Sequence, residues 1–384
     1  MLITGKVLIV GSGIAGQALA IALAKHNIDC EIVEVRPEWQ LLGAGTALLA
    51  TAMRALDEIG IAEDVRRAGW SHENARFMYR DASGELVVET DVEGAGSGLP
   101  AGVSIMRNTL HELLVEKVKQ VNIPVTMGTT VESLDNDGEG VDVVFSDGSR
   151  SRFSLVVGAD GIRSKVRSLL FGLEEPAFSG FAAWRYVIPR PDTVTELNWF
   201  WGRNATIGIV PLSSSEMYIA GTSVEPDNPR YERENLPRLF REKFSQFEAE
   251  VPKYLEQVVN PDDVVYTPLE EVRLNRSWYE GRVVLVGDAA HASTPFWALG
   301  AALALEDVAL LARLINEGED LQVILSQWFK RRLPRCEFVQ DGSVATGKQM
   351  HSAPGEGPRI FPPPARDAIK RGMQERALKL AEPY

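Results

Sequence analysis

The chain has 384 residues, of which 45% are hydrophobic and 24% are charged. A chain of this length is expected to form about two domains, and its composition is ordinary for a globular protein in water. The formal net charge of −13 argues against nucleic acid as a partner, because no basic patch is large enough to neutralise many phosphates.

Membrane and redox signals are weak along the sequence. No apolar run approaches the roughly 20 residues that a transmembrane segment requires. The start of the chain, Met1–Lys6, runs directly into a strand and leaves no room for a signal peptide. The two cysteines, Cys30 and Cys336, give no disulfide framework. We therefore expect a reduced, cytoplasmic protein.

The first elements predict a βαβ unit that opens a parallel sheet. Lys6–Val10 is a short β-branched run, as expected of a strand that is buried on both faces. Apolar residues then recur at helical spacing from Ala15 to Leu23, and Cys30–Val35 is a second predicted strand. Strand, tight turn, helix and strand follow one another closely enough for a parallel βαβ unit.

Further along, the pattern changes from alternating helices and strands to apolar strands separated by turns. This change, over 181–224, suits an antiparallel sheet in a second domain. The other predicted elements are helices at 52–59, 109–121, 237–258 with a break near Pro252, 301–315, 321–332 and 365–380, strand pieces at 77–92, a hairpin at 141–153, strands at 155–157 and 283–286, and a loop at 352–364.

A glycine-rich turn, Gly11–Gly16, follows the first strand. Gly11 allows the sharp turn, Gly13 lets the backbone approach a pyrophosphate, and Gly16 allows close packing of helix on strand. The start of the helix offers free N–H groups to phosphates. Glu34 lies at the end of the second strand, where its carboxylate can accept hydrogen bonds from ribose hydroxyls. Together these features predict a dinucleotide site, but they do not distinguish FAD from NAD.

Two further motifs follow predicted strands far downstream. They are Gly158–Gly161, which contains Asp160, and Gly287-Asp288. Either would be weak alone, and Asp160 alone could simply cap a strand-end turn. In this order and at these separations, the three motifs resemble those of the single-component aromatic hydroxylases, the para-hydroxybenzoate hydroxylase-like flavoprotein monooxygenases. The resemblance covers about residues 5 to 340.

The resemblance implies a particular fold class. This class is α/β, with a Rossmann-like FAD-binding domain, an antiparallel-sheet substrate domain and C-terminal helices. The FAD-binding domain is expected at 1–72, 98–176 and 272–320. The substrate domain is expected at 73–97 and 177–271, and the C-terminal helical segment at 321–384.

The resemblance also implies FAD as the cofactor and gives the downstream motifs their roles. Asp160 is expected to serve the FAD pyrophosphate region and the nicotinamide cofactor that visits it, and the basic residues after it, from Arg163 to Arg167, to attract a phosphate-bearing donor. Asp288 is expected to accept hydrogen bonds from the ribityl chain. The cofactor-binding residues predicted in this way are Gly11, Gly13, Ala15, Gly16, Glu34, Arg36, Gly45, Arg107, Asp160, Asp288, Gly300 and Ala301.

Three of these residues depend on weaker matches. Gly45 ends a segment, Leu42–Gly45, that resembles the loop beside the flavin ring. Arg107 lies where the family uses an arginine near the FAD phosphates, although it can also be an ordinary residue at a helix start. Arg36 is either an exposed charge after the strand or a neighbour of the adenosine moiety.

The segment from Pro295 to Ala301 takes the place of the family's loop under the isoalloxazine ring. The family's usual proline and glycine–glutamine–glycine run is changed here, because Ala298 and Leu299 replace the first glycine and the glutamine. Backbone N–H groups at Gly300 and Ala301 can still stabilise negative charge on a reduced flavin. The Leu299 departure leaves the ring contacts open.

The implied reaction is the hydroxylation of an aromatic or N-heteroaromatic small molecule. NADH or NADPH would reduce the FAD, and O2 would form a flavin C4a-hydroperoxide that transfers oxygen to the ring. Tyr218 and Pro295 are the catalytic candidates, with Tyr218 contacting a ring hydroxyl or carbonyl. Tyr218 can equally be a core-facing aromatic residue, and Thr206 also falls near the family's substrate contacts. The expected partners are a small aromatic substrate, O2 and NAD(P)H, with the chain as a monomer or a homodimer.

Other functional readings of the sequence remain open. A flavin-dependent halogenase shares the three FAD motifs, but Trp184–Pro189 lacks the second tryptophan of the halogenase signature. A non-catalytic binding protein with the same fold, similar to the Rab escort-type GDP dissociation inhibitors, is the other alternative. We interpret His291 as a packing or backbone-fixing residue, and Glu306-Asp307 as solvated or capping carboxylates.

Overall fold

A computed structural model describes residues 5–39, 43–72, 76–91, 98–351 and 361–384. The strands in these ranges are β1 (Val7–Val10), β2 (Cys30–Glu34), β3 (Gly45–Leu49), β4 (Trp70–His72), β5 (Arg76–Asp81), β6 (Leu86–Asp91), β7 (Gly102–Met106), β8 (Val125–Met127), β9 (Val131–Asn136), β10 (Val141–Phe145), β11 (Arg150–Phe153), β12 (Leu155–Gly158), β13 (Ala177–Pro189), β14 (Leu197–Trp201), β15 (Ala205–Pro211), β16 (Glu216–Val224), β17 (Val265–Glu271), β18 (Tyr279–Glu280) and β19 (Val283–Leu285).

The α-helices are α1 (Ile14–Lys25), α2 (Ala50–Ile59), α3 (Ala62–Ala68), α4 (Arg107–Gln120), α5 (Lys165–Phe171), α6 (Leu236–Lys243), α7 (Val251–Leu255), α8 (Asp288–His291), α9 (Gly300–Glu317), α10 (Leu321–His351) and α11 (Pro363–Ala381). Short 3₁₀ turns lie at Arg233–Asn235, Pro261–Asp263 and Pro295–Trp297. Within the described ranges, we find no helix with the length and apolarity that a bilayer crossing requires.

The first large sheet brings the three sequence motifs to one edge. Its strand order is β18-β19-β12-β1-β2-β8, and every neighbouring pair is parallel except β18–β19. Strands β1, β12 and β19 are buried along their whole length, as their continuous apolar sequences predict. Because these three parallel strands are neighbours, the turns after their carboxyl ends meet at the same edge, where open α/β sheets bind ligands.

The second large sheet has the order β17-β13-β16-β15-β14-β5-β6. Its neighbouring pairs are antiparallel except β14–β5, which is parallel and departs from the predicted antiparallel pattern. Along β13, alternate residues such as Trp184 and Tyr186 pack into an aromatic core with α6 and α7. The residues between them, such as Arg185, point to the opposite face. The α/β fold class with C-terminal helices is confirmed, while the domain boundaries stay a prediction.

Most predicted helices begin and end within two residues of the observed ones, but the prediction for 237–258 is wrong in its centre. Helix α6 stops at Lys243 and α7 begins at Val251, so the chain leaves the helix well before Pro252. Phe244 and Phe247, in the interruption, are buried in the aromatic core. Ala249 has a positive φ of 53°, which a continuous helix does not allow. Tertiary packing therefore overrides the helical pattern here.

The predicted end of the 321–332 helix is also wrong. Helix α10 continues to His351 and holds Pro334 within it. An internal proline removes one helical hydrogen bond and normally ends or kinks a helix. Here Arg332 and Cys336, on either side of the proline, are both fully buried, so packing holds both sides of the interruption. Most of the predicted loop at 352–364 lies outside the described residues.

Candidate active site

In the glycine turn after β1, Gly11 and Gly16 are closely packed, whereas Gly13 faces open space. Gly11 has a φ of +102°, and a Cβ there would lie 2.5 Å from the carbonyl oxygen of Ala159. A Cβ on Gly16 would press on β1, only 3.3 Å from Cγ2 of Ile9. By contrast, a Cβ on Gly13 would meet no atom within 4 Å. This open space lies at the start of α1, where the free N–H groups fit a pyrophosphate.

Glu34 ends β2 with both carboxylate oxygens turned to nearby backbone. Its Oε2 accepts a hydrogen bond from the Ser12 N–H at 2.8 Å, and its Oε1 accepts one from the Arg36 N–H at 3.0 Å. Glu34 is therefore next to the glycine turn, as the motif requires. Arg36 is exposed. The ribose role of Glu34 and the adenosine contact of Arg36 stay predictions.

Asp160 uses its carboxylate within its own turn. Oδ1 accepts a hydrogen bond from the Ser164 hydroxyl at 2.5 Å, and Oδ2 accepts one from the Val166 N–H at 3.0 Å. Burial raises the pKa of Asp160, while these two donors act in the opposite direction. The carboxylate thus holds the start of α5, and its predicted service to FAD and nicotinamide stays a prediction.

The basic residues after Asp160 differ in exposure, and attraction of a phosphate-bearing donor stays a prediction for the exposed Arg163 and Lys165. Arg167 is buried and donates to the carbonyl oxygens of Ala289 and Ile162, at 3.0 and 2.8 Å. Arg163 is paired with Glu270 at 2.9 Å. For Arg167 the prediction is wrong, because its guanidinium connects the second FAD motif to the third.

Asp288 is the first residue of α8 and faces a large cavity. Its side chain is exposed there, and no hydrogen bond or ion pair engages it within the described ranges. Gly287, just before it, has a φ of +59° and donates its N–H to Oδ2 of Asp307 at 2.9 Å. The backbone of this turn is therefore fixed while the Asp288 carboxylate is left available to accept ligand hydroxyls.

The 3₁₀ turn at Pro295–Trp297 and the two residues after it form the departure from the family loop. Ala298 takes a left-handed conformation with φ 54°, a region that favours glycine. Trp297 donates its Nε1–H to the Thr346 hydroxyl of α10 at 2.8 Å. A Cβ on Gly342 would overlap the Trp297 ring, and one on Gly347 would overlap Phe296. The aromatic residues of this loop thus pack against two glycines of α10, where a larger side chain would not fit.

Helix α9 begins at Gly300 directly after this loop, and Leu299, which precedes it, is buried. The N–H groups of the first turn have no partner within the helix, so those at Gly300 and Ala301 are available at the cavity. Pro295 also lines the cavity. This arrangement offers backbone donors to an anionic edge of a bound flavin.

A buried charge cluster holds α9 from behind. Asp307 is fully buried and accepts hydrogen bonds from His291 Nε2 at 2.6 Å and Arg332 Nε at 2.7 Å. Glu306 pairs with Arg332 at 2.8 Å and with Arg335 at 2.7 Å. The interpretation of Glu306 and Asp307 as solvated or capping is therefore wrong, because they meet two arginines of α10. The fixing role predicted for His291 fits its position, since it connects α8 to α9.

The pKa shifts in this buried charge cluster favour the ionised pair. Burial alone would lower the pKa of His291, but Cys336 and the Asp307 carboxylate raise it well above its ordinary value. Burial alone would raise the pKa of Asp307, yet His291 and Arg332 lower it. The imidazolium–carboxylate pair is thus charged at neutral pH.

One cavity of about 1160 Å³ lies between the motif edge of the first sheet and a face of the second. Its lining includes Gly13, Ala15, Gly45, Arg107, Asp288, Pro295, Gly300 and Ala301 from the predicted site, together with Tyr218. Gly11, Gly16, Glu34, Arg36 and Asp160 are not part of this lining. The structure therefore brings nine of the predicted site residues together around one cavity.

Gly45 and Arg107 connect the loop beside the cavity to its walls. A Cβ on Gly45 would lie 2.6 Å from Cδ1 of Tyr218, so the glycine makes room for the tyrosine ring. A Cβ on Gly43 would lie 3.1 Å from Cβ of Arg107, which is the first residue of α4. Leu42, the first residue of the predicted loop, lies outside the described residues.

The face of the second sheet presents polar groups to the cavity. Tyr218 is buried, and its hydroxyl has no hydrogen-bond partner within the described part of the chain. Burial raises the pKa of Tyr218, and the nearby Arg185 and Arg107 oppose this shift. The Thr206 hydroxyl is engaged by that of Thr222 at 2.6 Å. Tyr218 is therefore both packed in a core and directed at the cavity, so the two sequence readings are not exclusive.

Arg185, in a segment that resembles the start of the family's first substrate-domain strand, is a residue of this face for which the sequence predicted no role. It is paired in register with Ala220 of β16 and lines the cavity. No carboxylate or hydrogen-bond acceptor engages its guanidinium within the described ranges, and burial lowers its pKa. The signal was available, because Arg185 alternates with Trp184 and Tyr186 in a strand whose other face is apolar. A cation at such a position points toward the opposite face.

Comparison with known proteins gives the same picture. Residues 4–340 match a family model described as FAD binding domain. The 2-heptyl-3-hydroxy-4(1H)-quinolone synthase of Pseudomonas aeruginosa is 33% identical and covers 89% of this chain and 88% of its own. The aurachin C monooxygenase/isomerase of Stigmatella aurantiaca is 31% identical, with 89% and 88% covered.

The fold is shared with a solved flavoprotein. The crystal structure of Klebsiella pneumoniae HpxO complexed with FAD and uric acid has a TM-score of 0.83 to this chain, at 22% identity, and covers 98% of this chain and 95% of its own. The glycine turn with its open space at Gly13, the available Asp288 carboxylate and the start of α9 fit an FAD at the edge of the parallel sheet. The chain belongs to the FAD binding domain family and is an FAD-dependent monooxygenase of the aromatic hydroxylase type.

Proposed function

We propose that this protein hydroxylates an aromatic or N-heteroaromatic small molecule, with NADH or NADPH as reductant and O2 as the source of oxygen. One observation carries the proposal: a single cavity joins the residues predicted to hold FAD to a sheet face with an unpaired Arg185 and the hydroxyl of Tyr218. The route through a flavin C4a-hydroperoxide belongs to this proposal and stays a prediction. A halogenase and a non-catalytic binder remain as outcomes of the test.

The bound cofactor would supply electron transfer from NAD(P)H and activated oxygen, and the protein would bind, orient and exclude water. Backbone at Gly13, the Asp288 carboxylate, and the N–H groups of Gly300 and Ala301 would hold FAD. Arg107 would add a positive charge near it. Pro295 would shape the loop under the ring. Glu34 would accept hydrogen bonds from the ribose hydroxyls, Arg36 would lie near the adenosine, and Asp160 would serve the pyrophosphate region and the nicotinamide cofactor.

Arg185 and Tyr218 would act on the substrate ring. A guanidinium without a carboxylate partner favours an anion, so Arg185 would stabilise the ionised form of a ring hydroxyl. An ionised oxygen makes the ring carbon beside it richer in electrons, as oxygen transfer requires. Because burial raises the pKa of Tyr218, its phenol stays protonated at neutral pH and donates a hydrogen bond rather than acting as a base.

The names of relatives narrow the rings to test first. The Pseudomonas relative is named for a 3-hydroxy-4(1H)-quinolone product, which suggests 4(1H)-quinolones beside hydroxybenzoates and hydroxypyridines. A cytoplasmic location, a monomeric or homodimeric state and the domain boundaries given above are further parts of the proposal.

The test begins with the cofactor. We expect purified protein to carry about one non-covalent FAD per chain, released to the supernatant by acid precipitation. Each ring compound is then assayed for stimulated NAD(P)H oxidation and for product mass under ¹⁸O-labelled O2. A single ¹⁸O atom in the product supports hydroxylation. Oxygen taken from water, or addition of a halogen, rejects it, and a colourless protein without activity supports the binding alternative.

Tyr218→Phe tests the polar contact in the same assay. It removes one hydroxyl and keeps the ring, so we expect turnover to fall about two- to tenfold, the range of one neutral hydrogen bond. FAD content is expected to stay unchanged. Tyr186→Phe is the matched control, because Tyr186 lies on the opposite face of β13. Full coupled activity in Tyr218→Phe would remove Tyr218 from the mechanism without rejecting the hydroxylase.

A further inference from the structure

The part of the cavity lined by β5 and β14 is aromatic. Phe77 and Tyr79 of β5 and Trp199 and Trp201 of β14 all line it, and Phe361 joins them from just before α11. The rings contact one another: centroids are 4.8 Å apart for Tyr79–Trp201 and 5.5 Å for Trp201–Phe361. These five rings form what we call the aromatic chamber. None of them belongs to a predicted FAD motif.

The Trp199 ring packs directly on the backbone of the neighbouring strand, so the sheet itself forms this wall. A Cβ on Gly208 of β15 would lie 2.8 Å from Cζ3 of Trp199, so the indole lies across the strand at a position that has no side chain. The glycine and the tryptophan are paired in register. The sheet therefore changes along its cavity face from the cation of Arg185 to a continuous aromatic surface.

Helix α11 forms the other wall of the aromatic chamber. The residues of α11 that line the cavity recur every three or four positions and so share one face: Ala365, Ala368, Ile369, Gly372, Met373 and Arg376. Three of the six are alanine or glycine. A Cβ on Gly372 would meet no described atom within 4 Å, and Gly372 and Ala368 are both exposed, so these small residues leave this part of the cavity open.

Helix α11 is also attached to the loop beneath the flavin site. The Arg376 guanidinium lies over the Trp297 ring, 5.0 Å from its centroid. Trp297 in turn donates to Thr346 of α10. The chamber is thus continuous with the space in front of Pro295 and Gly300, where the reacting ring would lie.

The cavity has a cation, Arg185, in one part of its wall and an aromatic surface in another. We therefore propose that the substrate carries an apolar chain on its ring, and that the aromatic chamber holds this chain. The proposal rests on the proposed function, because it assumes that the ring lies between Arg185 and the start of α9. A ring with an ionisable oxygen would meet the cation, and its aliphatic substituent would reach the five rings and the α11 face. A mostly apolar lining favours an apolar extension over a heavily hydroxylated one, and the cation in this part of the lining, Arg376, lies over Trp297 and beside Tyr79.

The proposal predicts how affinity depends on the length of the substrate's alkyl chain. Burial of one methylene contributes about 0.8 kcal/mol, so each added methylene is expected to tighten binding about fourfold until the chamber is full. The probes are 4(1H)-quinolones with 2-methyl, 2-pentyl, 2-heptyl and 2-nonyl chains. Their dissociation constants are measured on the FAD-loaded protein from changes in flavin absorbance.

Two variants fill the chamber from the helix side. Gly372→Leu and Ala368→Leu add a branched side chain at two exposed positions of α11 that line the cavity, and the first also raises the helix propensity at position 372. We expect a loss of at least tenfold in affinity for the heptyl and nonyl compounds, with the methyl compound unchanged. Gln374→Leu is the matched control, since Gln374 is an exposed residue of α11 that does not line the cavity.

The outcomes separate this proposal from the proposed function. Affinity that rises with chain length in the wild type and in Gln374→Leu, but not in the two chamber variants, supports the chamber. Affinity that is flat or undetectable across the series overturns it, and so does a rise that the chamber variants retain. The hydroxylase assignment is judged independently, by ¹⁸O incorporation into rings without chains.

Discussion

The charges behind α9 and the charges around the cavity differ in how they are satisfied. His291, Glu306, Asp307, Arg332 and Arg335 lie within hydrogen-bond distance of opposite charges and are mostly inaccessible to water. Arg107, Arg185 and Asp288, which line the cavity, have no side-chain partner in the described part of the chain. The first group is complete in the protein alone. The second group is complete only with a ligand.

This difference separates structure from function. Charges removed from water are tolerated in a protein only when other charges and hydrogen bonds replace the solvent. The buried charge cluster meets that condition and therefore holds α8, α9 and α10 in place. The cavity residues leave their polar atoms to a small molecule, at the cost of some stability. Substitutions in the two groups should therefore affect different measurements.

The largest expected effect is in the buried charge cluster. Asp307→Asn removes the charge between His291 and Arg332 and leaves both cations undercompensated. We expect the free energy of unfolding to fall by about 3–5 kcal/mol, the usual range for one partner of a buried pair. The measurement is the urea denaturation of the holoprotein. Glu319→Gln, at an exposed carboxylate after α9, is the control and should change stability by less than about 0.5 kcal/mol.

The pH dependence of this loss sharpens the same comparison. The raised pKa of His291 contributes stability that is complete below its unfolded value and is lost as pH rises through the folded value. The lowered pKa of Asp307 contributes stability that is complete above its unfolded value and is lost as pH falls. The gap between wild type and Asp307→Asn should therefore be widest between about pH 4 and 6.5. A constant gap across pH would contradict an ionised pair.

The second effect concerns the cavity cation. Arg185→Met keeps the length of the side chain and removes the charge. We expect substrate affinity to fall about 10- to 150-fold, because a hydrogen bond to a charged group contributes about 1.5–3 kcal/mol. Stability should stay equal or rise, since an unpaired and partly buried cation is removed. A variant that loses stability as Asp307→Asn does would place Arg185 with the structural charges.

A third effect tests Asp288. Asp288→Ala removes an acceptor for ligand hydroxyls, and we expect FAD affinity to fall by about 1–3 kcal/mol, or roughly five- to 150-fold. Titration of the apoprotein with FAD measures the change, and the apoprotein itself should keep its stability because the Asp288 carboxylate has no partner among the described residues. Unchanged FAD affinity would show that Asp288 lies outside the cofactor site.

The smallest effect lies in the loop between the two groups of charges. Ala298→Gly places a glycine in a left-handed conformation that alanine adopts only with strain. We expect the free energy of unfolding, measured by thermal denaturation, to rise by at most about 1 kcal/mol, with FAD content unchanged. A loss of stability would show that the methyl group of Ala298 packs against its surroundings more strongly than the backbone is strained.

Much of the fold and part of the site were predictable, because their causes are local. The turns at Gly11 and Gly287 need positive φ angles, and the strands before them are continuous apolar runs that a parallel sheet buries on both faces. Helix starts at Ile14 and Gly300 follow from the same short patterns. Arg185 lay within reach of the two-residue alternation in β13, although it was not identified as a site residue.

The sequence by itself thus determined the strands and glycine turns of the parallel sheet, since backbone angles and apolar periodicity act over a few residues. The fold class and the family followed from the resemblance of three motifs. Only the tertiary structure decided the environment of each charge. Glu306 and Asp307 are ordinary helical carboxylates until α10 brings Arg332 and Arg335 against them. Helix α11 is an ordinary polar helix until it lies across the aromatic residues of β5 and β14. The free energy of a charge or an open space depends on neighbours that are distant in the chain, and local patterns do not carry that information.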